Sequence, residues 1–170
     1  MTELSDDIKG DIRMSLTITL KGIIDEDFVN YKVPSMALMF PRCSFKCGKE
    51  YCQNSSVANE KDITVGVKTI CNRYFNNDIT EAIVFQGLEP LDSFDDVIML
   101  ITYLRTGSDD DIVIYTGYNK NEIEEKIEQL KQFKNIIVKY GRFVPNQKEH
   151  FDEVLGVYLI SDNQYAEKIS

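Results

Sequence analysis

Three cysteines, Cys43, Cys47 and Cys52, fall within the stretch MFPRCSFKCGKEYCQN, spaced C-x3-C-x4-C. A disulfide, a zinc site, an iron–sulfur cluster and chance burial are the four accounts of such crowding. A disulfide needs matched geometry and an oxidising compartment. Chance burial suits isolated cysteines in apolar cores, whereas these three sit among Lys, Arg, Gly and Ser. Structural zinc takes four ligands, commonly as two closely spaced pairs. Here there is no second pair, and the chain has a single histidine, His150. The remaining cysteine, Cys71, falls on the apolar face of a helical pattern and reads as core. An iron–sulfur cluster on three thiolates is the favoured account, with zinc left open. Three thiolates on a four-iron cube would leave one iron open to a substrate or cofactor.

A single histidine leaves almost nothing for a Ser–His–Asp arrangement, and His150 reads as a solvated tail residue. Acids outnumber bases 28 to 19, for a net charge of -9. Nucleic acids and anionic membranes want the opposite balance and are not expected partners. A protein with a basic patch remains compatible. No run approaches the roughly 18–20 apolar residues of a membrane span. The mixed-charge start, MTELSDDIKGDIRMS, shows no apolar signal segment. The expected location is the cytoplasm, where structural disulfides are rare.

The elements that must position the cysteines are read from hydrophobic periodicity. Residues 1–14 form a polar lead-in, and Ser15–Leu20 alternates like an edge strand. Ser35–Phe40 reads as a buried strand, and the cysteine loop follows it directly. Ile63, Val67, Ile70, Cys71 and Tyr74 share a helical face, with Asp62 placed to cap it. EAIVFQG is a short apolar strand closed by Gly87. A helix follows, carrying Phe94, Val97, Ile98, Ile101 and Leu104 on one face, with Ser93 and Asp96 as capping pair. DIVIYTG is the next strand. Ile123, Ile127, Leu130 and Phe133 mark a further helix with Asn119 as cap, then NIIVKYG is a strand. The tail, 141–170, holds one more strand around 156–160.

Strands alternating with helices imply right-handed crossovers and a mainly parallel sheet. The expectation is a single α/β domain over residues 1–170. In such sheets reactive groups gather at the carboxyl ends of the strands. The cysteines after Phe40, the Gly87-Leu88-Glu89-Pro90 turn and the Tyr115-Thr116-Gly117-Tyr118 stretch all fall at such ends. There is no G-x-G-x-x-G or P-loop pattern.

A strand, a three-cysteine loop, then a strand ending in a Gly-Glu-Pro turn resembles the layout of radical SAM enzymes. The closest resemblance is to the activating proteins of anaerobic ribonucleotide reductases. Those show C-x3-C-x2-C followed by Asn, a GGEP turn, a YTGY strand end, a GRF turn and a late NQ. This chain has Cys52-Gln53-Asn54, Gly87-Leu88-Glu89-Pro90, Tyr115-Thr116-Gly117-Tyr118, Gly141-Arg142-Phe143 and Asn163-Gln164, in the same order. It departs in having four residues between Cys47 and Cys52, and in Leu88 at the second glycine. A side chain at that place restricts backbone approach and disfavours positive φ.

The resemblance implies a partial (β/α) barrel, a mainly parallel sheet of about five strands with helices outside. It implies that Cys43, Cys47 and Cys52 hold a 4Fe-4S cluster that binds S-adenosylmethionine. Gly87, Leu88, Glu89 and Pro90 would line the methionine end. Thr116 and Gly117 would meet the ribose, and Asn54 would contact the cofactor or cap its loop. Arg142, Asn163 and Gln164 read as turn residues or partner contacts. The implied partners are a flavodoxin-like electron donor and the large, glycyl-radical subunit of the reductase. Two other readings stand beside it: a small radical SAM enzyme acting on a metabolite, and a zinc-stabilised α/β binding module without catalysis.

Overall fold

The computed structural model describes residues 16–44, 48, 50, 52 and 54–170. The polar lead-in and Cys47 lie outside the described residues. Among the described residues, six strands form one mixed sheet in the order β10-β7-β6-β5-β3-β2. These are β2 (Gly22–Asp27), β3 (Ser35–Phe40), β5 (Ala82–Gly87), β6 (Asp111–Tyr115), β7 (Ile136–Tyr140) and β10 (Tyr165–Lys168). The middle four, β3, β5, β6 and β7, run parallel, while β2 and β10 pair antiparallel at the two edges. Among the described residues no strand closes the sheet on itself.

The parallel strands are apolar runs buried on both faces, as strands covered from two sides must be. Residues i and i+2 share a face. Met36, Leu38 and Phe40 of β3 therefore point the same way as Ile83, Phe85, Ile112, Ile114, Ile136, Val138 and Tyr140. Against this face pack α2 (Val67–Phe75), α3 (Phe94–Leu104) and α4 (Glu124–Leu130). The opposite face carries the smaller Ala37, Ala82, Val84, Val113 and Ile137. No helix covers it. The loop residue Tyr31 and the tail residues Leu155 and Leu159 pack there instead, the latter from the hairpin of β8 (His150–Asp152) and β9 (Val157–Leu159).

Several local expectations change. Ile63–Gly66 is not the first turn of a helix but a strand, β4, paired antiparallel with β1 (Thr17–Leu20). Ile-Thr-Val is a β-branched run that packs well on a pleated surface, and Gly66, not Asp62, precedes the helix. Ser93 stands at the start of α3 but makes no capping hydrogen bond, and its hydroxyl is buried without a partner. Asn119 does start a helical turn. Its backbone N–H donates to the Glu122 carboxylate at 2.8 Å, and the turn is 3-10 before α4 begins. His150 is not solvated. It lies half-buried in β8, with Nδ1 buried and unpaired. Cys71 is core, 4% exposed, and burial pushes its thiol up to about 11. Among the described residues no helix is long and apolar enough to cross a membrane.

Candidate metal and cofactor site

The carboxyl ends of β3, β5 and β6 open onto one cavity of about 320 Å³, within the range of small-molecule sites. Cys43 and Cys52 line it, both half-buried. So do Asn54, Gly87, Leu88, Glu89, Thr116 and Gly117. Pro90 does not; it starts a 3-10 turn, Pro90–Ser93, behind the wall.

The cysteine loop is held at three described points. The β3–β5 ladder runs on past the strands: Leu88 N donates to Phe40 O at 3.1 Å and Glu89 N to Arg42 O at 2.7 Å. Asp92 accepts from Ser44 N at 2.8 Å and from the Tyr118 hydroxyl at 2.6 Å, tying the loop to the turn after β6. Asn54 precedes a short helix, α1 (Ser55–Asn59), but does not cap it with its side chain. Its Nδ2 donates instead to Gly87 O at 2.6 Å. The residue two places beyond the third cysteine is thereby fastened to the glycine turn.

Gly87 adopts φ +101. A Cβ there would lie 2.6 Å from Phe40 N, so this position demands glycine on two counts. Leu88, where the resembling family has glycine, is not in the left-handed region. The turn places its conformational demand on Gly87, and the leucine is accommodated.

Glu89 is 4% exposed. One carboxylate oxygen accepts from Leu91 N at 3.1 Å and the other from Gly117 N at 2.8 Å. Burial pushes its pKa up to about 7 against the lowering pull of those N–H groups and of the Thr116 hydroxyl. The Thr116 hydroxyl also accepts from Tyr118 N at 3.0 Å. Glu89 and Thr116 thus hold the two turns together while both line the cavity.

Three groups to which the sequence assigned no role in the site also line it. Gln86 and Tyr115 are half-buried, and Lys139 is only 7% exposed. By strand alternation they share the helix-free face with Ala37, Val84, Val113 and Ile137, and form a polar layer above that apolar floor. Tyr115 pairs with Lys139 in the ladder. The legible signal was a lysine inside IIVKY, a strand buried throughout, since lysine is almost never fully buried without a partner. The tail supplies the other wall through Tyr158 and Ile160. Gln164, expected in a turn, is buried at the cavity edge and donates to Gly141 O at 3.3 Å. Arg142 forms a two-pronged pair with Glu122 at 2.9 and 3.0 Å, and Asn163 donates to Arg142 O at 2.8 Å.

Two cysteine side chains from one loop, half-buried at the lip of a cavity walled by anchored turns, are a donor set suited to iron. Residues 34–164 match the family described as 4Fe-4S single cluster domain. The chain belongs to that family. No curated protein and no solved structure matches it. Membership supports a 4Fe-4S cluster as the resident group, and Cys43 and Cys52 are its described candidate ligands. Cys47, the expected middle ligand, lies outside the described residues. Among the described residues no group of three or more His, Cys, Asp or Glu side chains is gathered as a metal site, and Cys43 and Cys52 make two.

Proposed function

We propose that this chain is a radical SAM activase that installs a glycyl radical on the large subunit of an anaerobic ribonucleotide reductase. The observation that carries the reading is the meeting of Cys43, Cys52, Gly87–Glu89 and Thr116–Gly117 on one cavity at the strand ends. These are the stretches through which the chain resembles that family, and they come from three separate crossover units.

Cys43, Cys47 and Cys52 would hold the cluster. Once bound and reduced by a flavodoxin-like donor, the cluster would supply the one-electron reducing chemistry for cleaving S-adenosylmethionine, and so the hydrogen-abstracting power that the partner glycine requires. The protein's own part is placement. Asn54 and Asp92 fix the cysteine loop against the turns after β5 and β6. Gly87 lets the backbone pass close to β3. Glu89 keeps the Gly117 turn in register with the Gly87 turn. Tyr158 and Ile160, from the tail, shield one side of the cavity from water.

The mouth of the cavity favours a protein substrate. Val29 and Tyr158 line it and are 74% and 65% exposed, apolar surface that a large partner would cover. The open sheet fits the partial barrel of the resemblance, with the partner closing the gap.

The deciding experiment is anaerobic cluster reconstitution, reduction with S-adenosylmethionine present, and chromatography for 5′-deoxyadenosine. Addition of the reductase subunit should then yield a glycyl-radical signal by electron paramagnetic resonance. An intact reduced cluster that produces no 5′-deoxyadenosine overturns the proposal. Zinc in place of iron after anaerobic purification would point to the binding-module reading instead.

A further inference from the structure

One rung of side chains crosses the sheet at the floor of the cavity. Met39 pairs with Gln86, Tyr115 with Lys139, and Lys139 with Ala166. Gln86 and Tyr115 lie one step beyond the Phe85–Ile114 pair of their ladder. By strand alternation these side chains project from the helix-free face, and Gln86, Tyr115 and Lys139 line the cavity. The Tyr115 hydroxyl donates to Asn30 O at 2.5 Å, and Lys139 Nζ donates to Gly141 O at 3.0 Å. Gln86 differs. Its side-chain amide bonds to no group among the described residues, and it is half-buried rather than sealed.

A primary amide offers two N–H donors and a carbonyl acceptor, with no charge. The root of this one is fixed. Gln86 sits inside the β3–β5 ladder, and the carbonyl of the next residue, Gly87, accepts from Asn54 Nδ2 at 2.6 Å. A neutral donor–acceptor pair held still and open to the cavity complements a ligand that presents an N–H and a C=O side by side. A peptide unit does so, whereas the charged ends of S-adenosylmethionine call for opposite charge or metal. A glycine has no side chain, so the polar handles nearest its Cα are its two flanking amides. The rung also lies towards the mouth. Tyr115 is tied to Asn30, next to Val29, which is 74% exposed and lines the same cavity.

We propose that Gln86 is the peptide-reading residue of this cavity: its side-chain amide pairs with a backbone amide flanking the target glycine and holds that glycine at the strand ends. The assignment rests on the reading of a glycine-bearing protein as the substrate, and adds the group that recognises it. Gln86 touches the substrate and carries neither proton nor electron. Adenine also presents an N–H beside an acceptor nitrogen, and the test separates the two ligands.

The test uses anaerobic, cluster-loaded protein carrying Gln86→Met, which keeps the length and loses every hydrogen-bonding group, or Gln86→Glu, which keeps the acceptor and loses the donors. Iron and sulfide content and far-UV circular dichroism check that each variant is folded and loaded. Calorimetry reads S-adenosylmethionine affinity, and electron paramagnetic resonance reads glycyl-radical formation against the concentration of the reductase subunit. Gln86→Met should leave S-adenosylmethionine affinity within about twofold and lower kcat/KM for the subunit about tenfold or more, chiefly through KM, as expected when two hydrogen bonds to substrate are removed. Gln86→Glu should show the same split. A loss of S-adenosylmethionine affinity as large as the loss in kcat/KM gives Gln86 to the cofactor and overturns the assignment, while leaving the activase reading intact. Unchanged kcat/KM in both variants overturns it as well. If neither variant loads, N-acetylglycine N-methylamide and its form methylated on both amide nitrogens are compared as competitors of the subunit on the unmodified chain. The first should compete better, and equal or absent competition overturns the assignment. An unmodified, loaded chain that forms no glycyl radical on the subunit overturns the activase reading and the assignment together.

Discussion

The carboxylate of Glu89 accepts a hydrogen bond from the backbone N–H of Gly117 at 2.8 Å, joining the turn after β5 to the turn after β6. The same side chain caps the 3-10 turn through Leu91 N. Two stretches that read as separate strand ends in the sequence are one structural unit. Glu89→Ala would leave both N–H groups without an acceptor in a buried place. The expected loss is about 1–3 kcal/mol of folding stability, read as a lowered urea midpoint at unchanged slope.

Titration of the same carboxyl gives a second expectation. Burial raises Glu89 from 4.5 to about 7, so between those values the folded chain holds a proton that the unfolded chain has released. Its contribution to stability is full below about 4.5 and is lost as pH rises to about 7. Lys139 is lowered by burial from 10.5 to about 8, in spite of the raising effect of Glu89. Its penalty is present below about 8 and relieved as pH rises towards 10.5. Urea titrations should show Glu89→Gln removing a fall in stability in the acid window, and Lys139→Met removing a rise in the alkaline one.

Gly87 and Leu88 should respond unequally to exchange. Gly87→Ala forces a Cβ to 2.6 Å from Phe40 N at φ +101, a backbone clash with no soft neighbour to yield. It should cost well over about 1 kcal/mol and lower cluster content after reconstitution. Leu88→Gly, which restores the second glycine of the resembling family, should cost no more than about 1–2 kcal/mol, mainly in chain entropy and lost partial burial. Thermal denaturation of the two variants side by side checks the order, and a larger loss in Leu88→Gly would contradict it.

Asn54 offers a more local test. Its Nδ2 donates to Gly87 O at 2.6 Å. Asn54→Asp keeps the shape but sets a carboxylate oxygen against a carbonyl oxygen. The cysteine loop should detach from the turn, with faster limited proteolysis near residues 44–54 and reduced iron and sulfide after reconstitution. Asn54→Ala should show the same effect more weakly. Unchanged proteolysis in both would mean that the loop is held by Arg42 and Ser44 alone.

Legibility in the sequence followed burial. β3, β5, β6 and β7 stood out because strands covered on both faces are continuous apolar runs. The helices α3 and α4 stood out by their 3.6-residue spacing. The edge strands β2 and β10, and β8 in the tail hairpin, did not. Gly-Ile-Ile-Asp-Glu-Asp, Tyr-Ala-Glu-Lys and His-Phe-Asp alternate weakly, and become strands through the partner each one meets. Ile63–Gly66 failed for a related reason. Its spacing to Val67 and Ile70 satisfies a helix, and only pairing with Thr17–Leu20 makes it a strand.

For the site, residue type and spacing by themselves marked the cysteine loop, the Gly-Leu-Glu-Pro turn and the Thr-Gly stretch, because metal-binding and turn chemistry need particular side chains close together along the chain. Tertiary structure decided what these pieces do to one another. It put the left-handed demand on Gly87, engaged Glu89 and Thr116 with each other, and made the tail a cavity wall. It also turned Lys139 from one charge among 19 basic residues into a nearly dry ammonium beside Tyr115. The physical reason is that dielectric environment and hydrogen-bond completion belong to the space around a group, and that space is built from segments far apart in the chain.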